Sequence, residues 1–146
     1  MHLKAEQVEV LNEVSSLNQL YDFIDAFALR AGLADDARRT VSVVVEELFA
    51  NTVSYGYPTG SPDQIILRLS LTGDKIEICL TDHGIPFDTA ASTATDFEGQ
   101  STEDRRVGGL GLFLVHQLSE TVSSHHHNGT NFTQIVVSRS KTDMSG

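Results

Sequence analysis

The sequence predicts a two-layer α+β sandwich, in which a mainly antiparallel mixed sheet of four to five strands carries three helices on one face. Some runs alternate apolar and polar residues, which indicates half-buried strands, and others repeat apolar residues every three or four positions, which indicates helices. The pair Asn128-Gly129 between two such runs is a strong hairpin signal. With 146 residues, the chain has the size of one compact domain, so we expect a single domain over residues 1–146.

The first two predicted elements are an edge strand and a helix. Apolar residues alternate roughly from Leu3 to Leu11, which favours a strand. Ser16, with Gln19 three residues later, has the pattern of a capping box, in which each side chain satisfies a backbone N–H group of the other residue. Apolar residues then keep helical spacing as far as Gly32, where we expect the helix to end.

A second helix and a hairpin follow. Acidic residues suit a helix N-terminus, so the helix is predicted to begin at Asp35 or Asp36 and to end near Tyr57. Apolar residues recur at every second position over Ile65 to Leu71 and over Ile76 to Leu80, which predicts two strands. Because only a short glycine-containing turn joins them, these strands should pair antiparallel.

The rest of the chain begins with an irregular stretch. Large apolar residues are few from Asp82 to Val107, and a stretch of that length inside a compact domain is usually functional. A short helix is predicted from Leu110 to Leu118. The last element is a hairpin with strands at Thr121 to His127 and Thr130 to Ser138, followed by a frayed tail over residues 139–146.

The charge balance excludes several function classes. The chain has 20 acidic and 10 basic residues and a net charge of −10, which disfavours direct binding to nucleic acid or to an anionic membrane. No apolar run approaches the roughly 20 residues of a bilayer span. The single cysteine, Cys79, cannot form a disulfide framework and is interpreted as a small buried side chain. We therefore expect a cytoplasmic protein.

Two polar residues interrupt the apolar face of the second helix. Glu47 and Asn51 are four residues apart, so they lie about 40° apart on one flank of the helix, whereas Glu46 lies about 100° from Glu47. A carboxylate and an amide so placed can activate a hydroxyl group and coordinate Mg²⁺ through oxygen. The alternative is a solvated helix flank.

Two further motifs follow the central hairpin. Asp82 ends a strand and Gly84 follows in a turn, so the carboxylate could accept a hydrogen bond from an exocyclic amine such as that of adenine. The alternative is an Asp that caps its own turn. Glycines at 108, 109 and 111 open the third helix, where backbone N–H groups can approach phosphate oxygens. The alternative is a hinge without a ligand.

In this order, Glu-x-x-x-Asn, Asp-x-Gly and Gly-x-Gly before a helix resemble the Bergerat ATP-binding fold of the GHKL (histidine kinase-like) superfamily. Within that superfamily, the chain looks most like the RsbW-type anti-sigma-factor serine kinases, from about Val8 to Val137. The segments that carry this resemblance are Val45 to Tyr57, Asp82 to Asp88, Gly109 to Val115 and the pair Gly129-Thr130.

The resemblance implies a role for each matching residue. Glu47 would be the general base that activates the substrate serine or a water, and Asn51 would hold Mg²⁺. Asp82 would read the adenine amine, and Gly84 would let the base approach. Backbone contacts to ATP would come from Gly109, Leu110, Gly111 and Leu112.

It also implies a lid and a base pocket. Residues 90–107 would form a mobile lid over the nucleotide, and Arg105 or Arg106 on it would supply positive charge to the γ-phosphate or to a partner. Thr130 or Thr133 would line the base pocket. Two departures from the pattern of the RsbW group, Tyr55-Gly56 and Thr89, touch neither the base nor the metal ligand.

The implied function is that of a bacterial regulator in a partner-switching cycle. It would use ATP and Mg²⁺ to phosphorylate a serine on a small anti-sigma antagonist protein of the STAS type, sequester a sigma factor, and form a homodimer.

Three alternatives remain open for this sequence. The first is a nucleotide-dependent regulatory binding module without kinase activity, and the second is a detached catalytic domain of a histidine kinase. The third is a metal site on the histidine run His125 to His127, in which alternate residues share one face of a strand.

Overall fold

The computed structural model describes residues 2–86 and 110–139 of the chain. The predicted lid over residues 90–107 lies outside the described residues, together with Arg105, Arg106 and Gly109. The predicted tail is described only at Arg139.

Each predicted strand and helix is present at its predicted place within the described residues, so the α+β fold is confirmed. A short 3₁₀ turn at Val14–Ser16 precedes the first helix. In chain order the elements are β1 (His2–Leu11), α1 (Leu17–Ala31), α2 (Asp35–Gly56), β2 (Gln64–Thr72), β3 (Lys75–Asp82), α3 (Leu110–Leu118), β4 (Thr121–His127) and β5 (Thr130–Ser138).

The five described strands form one sheet in the order β1-β2-β3-β5-β4. All four pairings between these strands are antiparallel. β1 lies at one edge, as predicted, and β4 lies at the other. The order is not sequential, because β3 pairs with β5 rather than with the strand that follows it in the chain. This non-local pairing brings the end of β3 beside the start of β5.

One face of the sheet carries the hydrophobic core. Alternate side chains of β2, β3 and β5 are buried, and the strand register aligns them in rows across the sheet. The helices supply the other half of the core. These rows are Leu71, Ile76 and Val137, then Leu69, Ile78 and Ile135, then Leu67, Leu80 and Thr133.

The core becomes polar at one end of this face. Beyond the row that contains Leu80 and Thr133, Asp82 lies directly opposite Asn131. Both side chains are buried and share the face that packs against the helices. The sheet therefore places a carboxylate and an amide next to α2, at the edge of the core.

The predicted capping box at Ser16 is wrong. Ser16 has helical backbone angles, with φ −69° and ψ −12°, and its side chain makes no capping hydrogen bond. A capping side chain needs an extended backbone, but the 3₁₀ turn runs directly into α1 and carries Ser16 with it. The predicted end of α1 is confirmed, since Gly32 adopts the left-handed conformation there.

Within residues 2–86 and 110–139, no helix is both long enough and apolar enough to cross a lipid bilayer.

Candidate functional site

Asn51 lies in the last two turns of α2 and is buried, with 7% of its surface exposed. Its side-chain Nδ2 has no hydrogen-bond partner among the described residues. A buried polar atom without a partner costs about 1–3 kcal/mol, so native structures rarely tolerate one without a bound group to satisfy it. The Nδ2 group can therefore donate to an acceptor on a ligand, such as a phosphate oxygen. Separately, Oδ1 is an oxygen of the kind that Mg²⁺ prefers.

Glu47 lies one turn before Asn51 and is half-buried. Burial raises the pKa of its carboxyl group, and the neighbouring negative charge of Glu46 raises it further. No hydrogen bond joins Glu47 to another described residue, whereas Glu46 accepts one of 2.8 Å from the Tyr21 hydroxyl. A carboxylate with a raised pKa and no fixed partner is suited to accept a proton.

Tyr21 fixes the position of the Glu46 carboxylate, which is adjacent to Glu47 in α2. Burial is the first cause that raises the pKa of Tyr21 to about 12, followed by its hydrogen bond to Glu46 and the charges of Glu46 and Glu47. The phenol therefore stays protonated and continues to donate to Glu46. The two adjacent carboxylates of α2 thus have different environments.

Asp82 ends β3 and has 5% of its surface exposed. One of its oxygens, Oδ1, accepts hydrogen bonds from the Gly84 backbone N–H at 2.9 Å and from the Asn131 side chain at 2.8 Å. No hydrogen bond between described residues uses Oδ2. Asp82 therefore caps its own turn with one oxygen, and its other oxygen remains available as an acceptor.

Gly84 packs against the end of α2. A Cβ atom on Gly84 would lie 2.5 Å from the backbone oxygen of Gly56, a distance that real Cβ atoms do not reach. That same oxygen accepts a 2.8 Å hydrogen bond from the N–H of Ile85. The sequence suggested that Gly84 lets the adenine base approach. The structure gives a second reason for glycine at this position, because the missing side chain lets the turn after Asp82 contact the helix that carries Asn51.

A pocket lies between the end of α2 and the ends of β3 and β5. It brings together Asn51, Asp82 and Thr133, which the sequence singled out. Glu47, Gly84 and Thr130 do not line it. The described residues that line it are Leu48, Asn51, Thr52, Gly56, Asp82, Ile85, Asn131 and Thr133.

The strand register distinguishes the two threonines. Thr133 is buried on the helix-facing side, next to Leu80 of β3. Thr130 pairs with His127 at the end of the hairpin. The structure therefore favours Thr133 for a role in the pocket, and Thr130 stays a prediction.

The third motif is described only in part. Gly111 and Leu112 lie in the first turn of α3, which packs against α2. Leu112 is buried. The helix that the glycines were predicted to open is therefore next to the helix that carries Glu47 and Asn51.

Asn131 was missed in the sequence, although it lines the pocket and contacts Asp82. Its signal was the Asn128-Gly129 turn, which fixes where β5 begins and so places Asn131 and Thr133 on the same face. Asn131 also contacts the histidine run, since its Oδ1 lies 2.6 Å from His126 Nδ1.

The other two histidines of the run lie away from the pocket. The rings of His125 and His127 stack with centroids 6.4 Å apart. The described part of the chain contains no group of three His, Cys, Asp or Glu side chains that could hold a metal ion.

Tyr57, Asp63 and His83 form a second polar cluster next to the candidate site. The Tyr57 hydroxyl donates a 2.5 Å hydrogen bond to Asp63 and accepts one of 3.1 Å from the His83 backbone. His83 Nδ1 lies 3.2 Å from the same Asp63 carboxylate. These contacts join the end of α2, the start of β2 and the residue after Asp82.

Replacing Tyr57 by phenylalanine is expected to lower the free energy of unfolding by about 1–3 kcal/mol, because Asp63 and the His83 N–H group lose their shared partner. Chemical denaturation of the two proteins at pH 7 measures the change. Tyr21→Phe is the control for loss of a hydroxyl, because the Tyr21 bond to Glu46 is exposed. A smaller loss for Tyr57→Phe than for Tyr21→Phe would contradict the role of Tyr57 in joining these elements.

Known proteins share this fold and sequence pattern. The RsbU and RsbW domains of Rv1364c from Mycobacterium tuberculosis superpose with a TM-score of 0.64 at 14% identity, over 94% of this chain and 34% of that chain. The SiaB-SiaC complex from Pseudomonas aeruginosa gives a TM-score of 0.58 at 12% identity, over 94% of this chain and 90% of that chain. These likenesses show the fold.

The sequence comparisons extend the result to the family. The serine-protein kinase RsbW of Listeria innocua is 29% identical over 128 residues, which cover 86% of this chain and 80% of that protein. The profile of the histidine kinase-like ATPase domain matches residues 10–137. The resemblance inferred from the three motifs is thereby confirmed, and the chain belongs to the histidine kinase-like ATPase domain family.

Proposed function

We propose that this chain is an ATP-dependent serine protein kinase and anti-sigma factor of a bacterial partner-switching cycle. Its substrate is a small anti-sigma antagonist protein of the STAS type. The observation that carries the proposal is that Asn51, whose buried Nδ2 lacks a partner among the described residues, and Asp82, whose Oδ2 is unengaged there, line one pocket. The relatives named serine-protein kinase RsbW support the choice of serine as acceptor.

The pocket residues bind and orient ATP. Asp82 accepts a hydrogen bond from the adenine amine, and Thr133 lines the base pocket. Asn51 holds Mg²⁺, which when bound neutralises phosphate charge. The phosphates lie at the start of α3, against the backbone of Gly109 to Leu112, where helix N–H groups favour an anion.

Catalysis in this proposal rests on Glu47. Its carboxylate accepts the proton of the substrate serine as the hydroxyl attacks the γ-phosphorus atom, and the bond to the β-γ bridging oxygen breaks with ADP as leaving group. The raised pKa of Glu47 makes it a stronger base than an exposed glutamate. Arg105 or Arg106 on the predicted lid supplies positive charge to the γ-phosphate.

Protein partners fit the charge of the chain better than nucleic acid does. With a net charge of −10, the protein regulates transcription in the cytoplasm by capturing a sigma factor rather than by binding DNA. One structural neighbour, SiaB-SiaC, is itself a complex. We extend the proposal to an antagonist protein, a sigma factor and a homodimer.

A pull-down from a bacterial lysate, with and without Mg-ATP, followed by mapping of phosphorylated serines on the captured proteins, tests this function. The expected result is an antagonist protein that carries acid-stable phosphoserine only when ATP is present and Glu47 is intact. Acid-labile phosphohistidine would instead indicate a histidine kinase domain. Bound ATP that stays intact beside captured partners would indicate a binding module without kinase activity.

A further inference from the structure

The Asn131 side chain uses all of its hydrogen-bonding hydrogens at the candidate site. Its Nδ2 donates to Asp82 Oδ1 at 2.8 Å and to the backbone oxygen of Gly84 at 2.8 Å. Its Oδ1 lies 2.6 Å from His126 Nδ1. Only 9% of the surface of Asn131 is exposed. Asn131 therefore links the strand that carries Asp82, the turn after it and the edge strand β4.

These contacts allow only one orientation of the amide. Rotating it by 180° would place its carbonyl oxygen against the Asp82 carboxylate and the Gly84 carbonyl, so three acceptors would face one another. With the amide as it stands, its oxygen needs a donor, and the His126 ring supplies one when Nδ1 carries a hydrogen. His126 thus favours the orientation in which Asn131 donates to Asp82.

The same contacts orient the Asp82 carboxylate. The Gly84 N–H group and the Asn131 Nδ2 both donate to Oδ1, which leaves Oδ2 free of hydrogen bonds to described residues. Hydrogen bonds weaken steeply when they are misaligned, so a carboxylate that recognises an amine must be held in one plane. Of the two donors, only Asn131 is a side chain.

We propose that Asn131, itself held by His126, is a positioning residue that makes the site select a base with an exocyclic amine by orienting Asp82. This inference rests on the proposed binding of ATP and goes beyond it, because it assigns base selectivity to a residue that acts through Asp82. It also gives one member of the histidine run a role other than metal binding.

Calorimetric titration with two nucleotides tests the proposal. ATP carries the 6-amino group of adenine, and purine riboside triphosphate lacks it. The wild-type protein is expected to bind ATP about tenfold or more tightly, the effect of one hydrogen bond to a charged acceptor. In Asn131→Ala, this ratio is expected to fall towards one, and the same fall is expected in Asp82→Ala.

The ratio of the two nucleotide affinities distinguishes a positioning role of Asn131 from a general structural role. If Asn131 only stabilised the strand end, Asn131→Ala would weaken both nucleotides equally and leave the ratio unchanged, which would overturn the proposal. Failure of the wild-type protein to bind ATP would instead overturn the proposed function. Far-ultraviolet circular dichroism confirms that each variant is folded.

Two matched substitutions of the exposed His126 test the proposal even if Asn131→Ala does not fold. Asparagine can place an N–H donor close to the position of Nδ1, whereas leucine has a similar shape and no donor. His126→Asn is expected to keep the wild-type ratio, and His126→Leu is expected to lower it about two- to tenfold. Equal ratios in the two variants would overturn the role assigned to His126.

Discussion

Replacing Glu47 by glutamine is expected to lower the rate of phosphoryl transfer to serine by about 10²- to 10⁴-fold, the usual contribution of a general base. Glutamine keeps the size of the side chain but cannot accept the serine proton. ATP affinity is expected to change little, because Glu47 does not line the pocket that contains Asn51 and Asp82. A single-turnover assay with labelled γ-phosphate measures the rate, and calorimetry measures the affinity.

Glu46→Gln is the matched control for this prediction. Glu46 is the adjacent carboxylate and is held by Tyr21, so its loss should leave transfer intact. The charge of Glu46 raises the pKa of Glu47. Glu46→Gln should therefore lower that pKa, so the fall in transfer rate on the acid side of the pH profile should occur at lower pH. Similar losses of transfer in the two variants would exclude Glu47 as the specific base.

The Glu47→Gln substitution is also expected to increase the stability of the folded protein. Burial raises the pKa of Glu47 above its ordinary value of 4.5, so its charged form is less favourable in the folded state than in the unfolded state. This destabilisation is complete above the folded pKa and disappears below the unfolded pKa. Glu47→Gln should therefore unfold at a higher temperature than the wild-type protein at pH 7, and this difference should shrink as the pH falls through the folded pKa of Glu47 and disappear below about pH 4.

Gly84→Ala is expected to disrupt the candidate site. The added Cβ atom would lie 2.5 Å from the Gly56 backbone oxygen, so the turn after Asp82 must move away from α2. Such overpacking costs about 1–3 kcal/mol of stability. The displaced turn would also carry Asp82 away from Asn51, and ATP affinity should fall about tenfold or more, by loss of the Asp82 hydrogen bond.

Gly56→Ala is the control for this prediction, because Gly56 is the other residue in the contact with Gly84. A Cβ atom on Gly56 would lie 3.6 Å from its nearest neighbour, an ordinary van der Waals distance. This variant should keep the stability of the wild-type protein, as measured by thermal unfolding. An equal loss in both variants would contradict the close approach of Gly84 as the cause.

Much of the fold could be predicted because its signals are local. Alternation over β2 and β3 and helical spacing over α1 and α2 are properties of consecutive residues. Ser16 shows the limit of such signals, because its capping pattern was present but the 3₁₀ turn that contains it gives it a helical backbone.

The site could be predicted less completely because its contacts are non-local. Asn51 and Asp82 were recognisable from motifs, but the contact of Asn131 with Asp82 depends on the pairing of β5 with β3. The packing of Gly84 depends likewise on where α2 ends. Pairing between distant segments leaves no periodic trace in the sequence, so such partners became visible only in the folded chain.

Calorimetric titration of the wild-type protein and of Asp82→Ala with Mg-ATP tests the central claim most directly, namely that the pocket between α2, β3 and β5 is an ATP site. Binding of one ATP per chain to the wild-type protein, with an affinity at least about tenfold lower in the folded variant, is the predicted result. Equal affinities in the two proteins, or no binding to the wild-type protein, would contradict it.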